Sequence, residues 1–170
     1  MHTVTLNGVS LDPATVYSDS RLQLDGLAAE NTLVVTADCT YSHTGEGLHR
    51  FVDPVDDKVY TYTQFEVPDA RRVFTTFEQP DLKSTYTFIV TAPEHWTVVS
   101  NSPTPEPSPA GDGKAVWAFE PTKRMSTYIT ALIAGEYVGV HDTYEGKYGS
   151  IELGHYCRES LLPTSTATRS

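Results

Sequence analysis

The sequence predicts an all-β protein, an antiparallel saddle or sandwich, and three observations support this fold class. Short segments rich in β-branched and aromatic residues recur along the 170 residues, and several alternate apolar with polar side chains. Such alternation is typical of strands with one buried face. Gly, Pro and Asn residues separate the segments as turn formers do. No stretch has the spacing of a long amphipathic helix, so we expect eight or nine short strands.

The first 41 residues predict a hairpin and one longer strand. Asn7-Gly8 lies between two short alternating runs, and this dipeptide is the strongest short-range signal for a hairpin turn. Residues 33–41 also alternate, which predicts a strand that carries Cys39 on its inward, core-facing side.

The middle of the chain predicts a loop, a strand and a helical turn. Residues 42–57 contain two Gly and a Pro and have little periodicity, so they predict a loop that ends in a solvated acidic turn. Residues 58–67 are β-branched and aromatic and predict a strand. Asp69 is placed to cap a short helical turn over residues 70–74.

The second half of the chain continues with strands. The Pro-rich residues 102–113 predict an exposed, extended loop between them, and Gly135 predicts a bend. The chain ends in a polar tail, 160–170, which we expect to fray. The predicted strands span residues 84–93, 95–101, 115–120, 125–140 and 148–156.

Composition excludes several classes of partner. The formal net charge is -10, whereas nucleic acids and anionic membranes are bound by clustered Lys and Arg. We therefore expect no nucleic-acid partner and no membrane partner. The start of the chain has no basic segment followed by an apolar run, and two cysteines make no disulfide framework. A cytoplasmic location follows as an expectation.

The familiar signatures of catalysis and metal binding are missing from the sequence. There is no His-Glu-x-x-His helix, no Cys-x-x-Cys pair and no nucleophile elbow, and the six histidines are scattered. His155 and Cys157 form an isolated pair that is more often structural than metal-binding. We expect this chain to carry neither catalytic residues nor a metal site.

Three segments carry a resemblance to a known family. They are "YTQFEVPDARRVFTTFEQPDLKSTYTFIVTAP" at 62–93, "MSTYITALIAGEY" at 125–137 and "GEGLHRFVDPVDDKVY" at 45–60. Together they resemble the N-terminal β domain of the M1 family of zinc aminopeptidases, the aminopeptidase N group, in its actinobacterial form. The resemblance covers roughly residues 1–159.

The resemblance implies a domain organisation. In the family, a saddle-shaped β domain packs on a thermolysin-like catalytic domain of the same chain, which binds zinc and cleaves peptides. The Gly-Ala-Met-Glu-Asn and His-Glu-x-x-His segments of that domain are absent here. We therefore expect an incomplete aminopeptidase domain over 1–159, truncated at both ends, and a flexible tail over 160–170. This chain would hold no cofactor itself, although the full-length family uses zinc, and the chain would be inactive alone.

Gln64 and Glu66 are the candidate site residues. Residues two apart on a strand face the same side, and recognition of an α-ammonium group needs carboxylate and carbonyl acceptors together. By the resemblance, Glu66 would accept hydrogen bonds from the substrate's ammonium group and Gln64 would support the substrate's amino end. From spacing alone, the two are better explained as solvated side chains of an exposed strand.

Neighbouring charged and aromatic residues have structural interpretations. One of Arg71 and Arg72 is expected to pair with Asp69, Glu78 or Asp81 and fix the turn. The alternative for the two arginines is contact with substrate or with an adjoining domain. Three aromatic residues of this region are expected in the core or in interdomain packing: Phe74, Phe77 and Tyr86. The two tryptophans, Trp96 and Trp117, are expected in the core.

Two other functions compete with the aminopeptidase domain. The chain could be a stand-alone β-sandwich module that binds a protein, a peptide or a sugar through exposed tyrosines. It could also be a truncated gene product without a function, in which case an exposed sheet edge should cause aggregation.

Overall fold

The computed structural model describes residues 1–162, which divide into two compact units, 1–40 and the chain from Tyr41 onward. Fourteen strands form five sheets in the described residues, and every strand pairing is antiparallel. The prediction of an all-β fold is confirmed. No helix within 1–162 has the length and apolar character needed to cross a membrane.

The first unit contains a three-stranded sheet and a small ribbon. The sheet has the order β2-β1-β5. Asn7 and Gly8 connect β1 to β2 with φ of 51° and 81°, as the two central residues of a type I′ turn require, so the predicted hairpin is confirmed. The elements of this unit are β1 (Thr3–Leu6), β2 (Val9–Leu11), α1 (Pro13–Val16), β3 (Tyr17–Ser18), β4 (Arg21–Leu22) and β5 (Leu33–Thr36).

The strand predicted over 33–41 is shorter than expected. β5 ends at Thr36 because its partner β1 begins at Thr3, the residue opposite. Without a neighbouring strand the backbone beyond this pair has no ladder to join. Cys39 therefore lies outside the strand and is exposed, so its predicted place in the core is wrong.

The second unit contains a four-stranded sheet, β6-β7-β12-β9, a three-stranded sheet, β10-β11-β8, and the long hairpin β13-β14. Short 3₁₀ turns lie at Ala70–Arg72, Thr127–Ile129 and Glu159–Leu161. The strands are β6 (Gly47–Val52), β7 (Val59–Gln64), β8 (Ile89–Pro93), β9 (Thr97–Ser100), β10 (Ser108–Gly111), β11 (Lys114–Ala118), β12 (Leu132–Gly135), β13 (Tyr137–Gly146) and β14 (Gly149–Arg158).

Two segments predicted as loops contain strands. β6 lies within the predicted loop 42–57 and pairs with β7 along its whole length. Its residues are mostly half-buried without alternation, so the period-two signal is missing from the sequence. β10 lies within the predicted loop 102–113 and is exposed throughout. It pairs with β11 as an edge strand, the place in a sheet where Pro is tolerated.

The strand predicted over 125–140 is interrupted. A 3₁₀ turn at Thr127–Ile129 precedes β12, and β13 begins after Gly135. The backbone of β7 approaches this glycine closely, since a Cβ atom there would lie 2.6 Å from the Val59 carbonyl oxygen. The predicted bend at Gly135 is therefore confirmed, and its cause is the close approach of a neighbouring strand.

The core of the second unit lies where its sheets meet. Trp117 is 3% exposed, and Trp96 is partly buried against the same cluster, so the predicted core role of both tryptophans is confirmed. Burial of so large an apolar surface is the main stabilising contribution of this region. The buried cluster comprises Ala92, Val98, Ala115, Trp117, Phe119 and Ala134.

The acidic turn that follows β6 is not solvated at its first residue. Asp53 is 1% exposed and accepts hydrogen bonds from Ser160 Oγ at 2.7 Å, Arg158 Nη1 at 2.9 Å and Val55 N at 3.0 Å. The Ser160 hydroxyl, the Val55 N–H and Arg158 hold the pKa of Asp53 below its ordinary value. This contact anchors the end of β14 to β6.

The same contact involves the first residue of the predicted tail. Ser160 lies in the 3₁₀ turn Glu159–Leu161 and donates to Asp53. Residues 163–170 of the predicted tail lie outside the described residues. The domain boundary at residue 159 stays a prediction.

Candidate functional site

The candidate site lies where β7 ends. Gln64 is the last residue of the strand and Glu66 begins the following turn. Phe65, between them, is 2% exposed and packs edge-on against Phe74, with ring centroids 5.7 Å apart. Because this ring is buried, it fixes the end of the strand in place and leaves its two polar neighbours exposed.

Gln64 and Glu66 line one cleft of about 370 Å³, which we call the amine cleft. Their grouping does not come from strand alternation, because the strand stops before Glu66. Instead, the Glu66 N–H donates to Gln64 Oε1 at 3.1 Å. This local bond closes the turn and holds the Gln64 side chain against the backbone of Glu66.

The opposite wall of the amine cleft is formed by residues 128–131. Asn101 holds this wall from behind: its Nδ2 donates to the Ile129 carbonyl at 2.9 Å, and its Oδ1 accepts from Ala131 N at 2.6 Å. Tyr128 and Ile129 are 38% and 48% exposed and face the solvent as large apolar side chains. The cleft therefore has a polar wall and a partly apolar wall.

Tyr128 and Ile129 line the cleft, but the sequence pattern did not identify them, because this stretch was predicted as a continuous strand. The signal that could have found them is the family match at 125–137, which the structure brings opposite the match at 62–93. Thr63 Oγ1 accepts from Leu132 N at 2.8 Å and ties the two segments together.

Charge in the amine cleft comes from Glu66. Among the described residues that line the cleft it is the one charged side chain. Within residues 1–162 its carboxylate makes no hydrogen bond or ion pair. A carboxylate without an internal partner retains its full capacity to accept hydrogen bonds from a cation.

The predicted local pairing is confirmed for Arg72, whose Nε donates to Asp69 Oδ1 at 2.6 Å. Asp69 precedes the predicted helical turn, but its carboxylate binds this guanidinium instead of capping the backbone. Arg71 binds Glu78 through its backbone N–H, at 2.7 Å to Oε2. In the described chain its guanidinium makes no ion pair, and neither arginine lines the amine cleft.

The aromatic residues after the site divide into two groups. Phe74 packs between Phe65 and Tyr86, with centroid distances of 5.7 and 6.4 Å. The Tyr86 hydroxyl lies 2.6 Å from Thr127 Oγ1, beneath the apolar wall of the amine cleft. Phe77 is 88% exposed, so its predicted core role is wrong, and interdomain packing stays as its predicted role.

Zinc has no site within the described residues. Residues 1–162 contain no group of three His, Cys, Asp or Glu side chains placed to hold a metal ion. His155 is exposed on β14 and Cys157 is half-buried. The zinc that the family resemblance implies would need ligands from elsewhere.

Comparison with protein families gives one match. Residues 22–129 match the peptidase M1 N-terminal domain. The matched range includes the polar wall of the amine cleft, Gln64 and Glu66, and reaches Tyr128 and Ile129 of the opposite wall.

Individual relatives are also similar. Aminopeptidase N of Streptomyces lividans is 63% identical over 162 residues, which cover 95% of this chain and 18% of that protein. Aminopeptidase N of Acetobacter pasteurianus is 36% identical, over 78% of this chain and 41% of the relative. Bovine aminopeptidase N is 37% identical, over 55% of this chain and 10% of the relative. The chain thus spans less than half the length of these relatives.

Proposed function

Because the chain belongs to the peptidase M1 N-terminal domain family, we propose that it supplies the substrate-amine-recognising wall of an aminopeptidase that releases N-terminal residues from peptides. The observation that carries this proposal is the free carboxylate of Glu66 beside Gln64 in one cleft. The peptide substrate, the zinc and the cytoplasmic location belong to the proposal and refer to the longer protein.

Glu66 and Gln64 would divide the recognition of the ammonium group. An ammonium group has three N–H donors, and the Glu66 carboxylate accepts one or two of them. Gln64 Oε1 has two lone pairs, of which the Glu66 N–H uses one. The second lone pair can accept from the same ammonium group. The bond from the Glu66 backbone thereby holds one of the two acceptors, Gln64 Oε1, in place.

The exposure of the site explains why a domain that covers the amine cleft is needed. Glu66 is exposed, and a hydrogen-bonded ion pair in water gains little because the solvent screens it. A catalytic domain placed over the amine cleft would exclude water and strengthen the same contacts. We propose such a domain, thermolysin-like and in the same chain, as the partner of this one, and expect the isolated chain to bind amines only weakly.

The role of Glu66 can be tested in a chimera in which this chain replaces the matching region of the Streptomyces lividans relative. With an alanyl-arylamide substrate, Glu66→Gln should lower kcat/KM about 10- to 100-fold, the equivalent of losing a charge-assisted hydrogen bond. Glu120→Gln, which neutralises an exposed carboxylate outside the amine cleft, is the matched control. Equal activities of the parent chimera and Glu66→Gln would refute the assignment.

The isolated 170-residue chain provides a second test. We expect no zinc-dependent hydrolysis of aminoacyl-arylamides by the purified chain, because the proposed chemistry lies in another domain. Clear zinc-dependent turnover by that chain would overturn this part of the proposal.

A stand-alone interaction module remains the second candidate function, and one observation favours it. In the β13-β14 hairpin, residues opposite each other share a face, and one face exposes four large apolar side chains. These four side chains are Val140, Tyr144, Ile151 and Leu153. A pull-down that repeatedly recovers one protein other than an aminopeptidase catalytic domain would support the interaction module.

A further inference from the structure

A second cleft, which we call the aromatic cleft, lies in the same unit and shares no lining residue with the amine cleft. It measures about 400 Å³. Its walls come from β9, the loop 104–107 and the β13-β14 hairpin, and its floor is Trp117 of β11. Four aromatic rings line it: Trp96, Trp117, His141 and Tyr156.

The hairpin wall is built around the ring of Tyr156. A Cβ atom on Gly139 would lie 2.7 Å from this ring, and one on Gly154 would lie 2.8 Å from it. The two glycines therefore allow the ring to lie against the hairpin backbone. His141 packs edge-on against Tyr156, with ring centroids 5.5 Å apart and planes at 83°. Close contact on several sides holds the ring in place.

The other walls join the aromatic cleft to the core. Trp117 is almost completely buried, and Trp96 packs against the same core cluster. Thr104 Oγ1 donates to the Val98 carbonyl at 3.1 Å and ties the loop over β9. The aromatic cleft is therefore fixed by the same packing that stabilises the sheet.

The charges that line the aromatic cleft are negative. Glu94 and Glu106 both line it, and within the described chain neither carboxylate makes a hydrogen bond or an ion pair. No Lys or Arg occurs among its lining residues, as far as the chain is described. Aromatic faces and carboxylates attract the same class of ligand, an organic cation.

We propose that the aromatic cleft binds an alkyl chain that ends in a cation, such as the side chain of Lys or Arg. Its charge would lie beside Glu94 and Glu106, and its apolar stem would pack against Trp96 and Tyr156. An anionic ligand would be repelled by both carboxylates. A neutral apolar ligand would gain the stem contacts alone. This proposal uses no residue of the amine cleft and does not depend on the proposed aminopeptidase function.

The chain contains its own reporter for this binding. Trp96 and Trp117 are its two tryptophans, and both line the aromatic cleft. Their fluorescence should change when the cleft is filled. The titration is run at pH 8, where histidine side chains are in general neutral and do not repel cations.

Four ligands separate the contributions in a titration of the 170-residue chain. N-acetyl-arginine amide and N-acetyl-lysine amide carry the cation on a side chain, and the blocked α-amine keeps them from imitating the amine-cleft substrate. N-acetyl-norleucine amide is the neutral control, and butylamine represents a free alkylamine. We expect saturable binding of the cationic amides with Kd on the order of 1 mM. The Kd of the norleucine amide should be at least about five-fold higher.

Two variants locate the binding. Glu106→Gln removes an exposed loop charge and should weaken binding of the cationic amides about five-fold. Glu120→Gln, the same change at an exposed carboxylate outside both clefts, should leave it unaltered. The proposal is overturned if the norleucine amide binds as well as the lysine amide, if Glu120→Gln and Glu106→Gln act alike, or if no ligand gives a saturable change. Butylamine binding as tightly as the lysine amide would identify free amines as a source of the cation.

Discussion

The amine cleft and the aromatic cleft have similar sizes, about 370 and 400 Å³, but they are built differently. The acceptors of the amine cleft, Gln64 and Glu66, lie at a strand end and on a turn, and both are exposed. The aromatic cleft has Trp117, a core residue, as its floor. The polar side chains of the amine cleft can therefore be changed with little effect on the stability of the fold. The shape of the aromatic cleft, in contrast, depends on a residue of the core.

The largest expected effect on stability comes from a substitution in the aromatic cleft. Trp117→Ala should lower the free energy of unfolding by about 3–5 kcal/mol, because a buried ring is removed from the core cluster. Tyr128→Ala, in the amine cleft, removes an exposed ring and should cost under about 1 kcal/mol. Denaturant unfolding of both variants makes the comparison. Similar losses would show that the two clefts depend on the core to the same degree.

The Asp53 contact should stabilise the unit that carries both clefts, because it anchors β14, the strand that carries Tyr156, to the end of β6. The folded-state pKa of Asp53 is lowered from 3.8, first by the Ser160 hydroxyl. The contact therefore stabilises the fold above the unfolded-state value and is lost as the pH falls through the folded-state pKa. At pH 7, Asp53→Asn should lower Tm by several degrees.

The pH dependence supplies the check on that prediction. Since protonation removes the contact from the parent chain as well, the Tm difference between parent and Asp53→Asn should shrink below about pH 4. Thermal unfolding at pH 7, 5, 4 and 3 measures it. A difference that stays constant down to pH 3 would mean that the carboxylate charge contributes nothing.

A smaller effect concerns the apolar wall of the amine cleft. Asn101→Ala removes the two hydrogen bonds that hold this wall and should cost about 1–2 kcal/mol of stability. Asn101→Asp keeps the acceptor for Ala131 N but places a carboxylate oxygen against the Ile129 carbonyl oxygen, so its loss should be no smaller than that of Asn101→Ala. Unfolding of the two variants distinguishes these losses. Equal stability of Asn101→Ala and the parent would show that the wall is held by other contacts.

Some elements were predictable because their signal is local. The Asn7-Gly8 turn and the strand that contains β7 follow from residue types that require particular backbone conformations. β6 was missed because its residues do not alternate between buried and exposed. Cys39 was misplaced because the alternation over 33–41 continues past the point where the partner strand begins.

The two clefts also differ in how far the sequence identifies the residues that line them. Gln64 and Glu66 were identified through the family resemblance, since their spacing alone is better explained by a solvated strand face. The aromatic cleft combines four separate segments of the chain, and nothing in the sequence around Trp96 or Tyr156 shows that they meet. Asp53 was missed for a related reason, because its partner Arg158 lies 105 residues away.

The central claim is that Glu66 recognises the substrate's ammonium group, and a double comparison tests it most directly. In the chimera with the Streptomyces lividans relative, kcat/KM is measured for an alanyl-arylamide and for the lactoyl-arylamide, in which a hydroxyl replaces the amine. We predict that Glu66→Gln lowers kcat/KM about 10- to 100-fold for the amine and under about three-fold for the hydroxyl substrate. An equal loss for both substrates would contradict the claim.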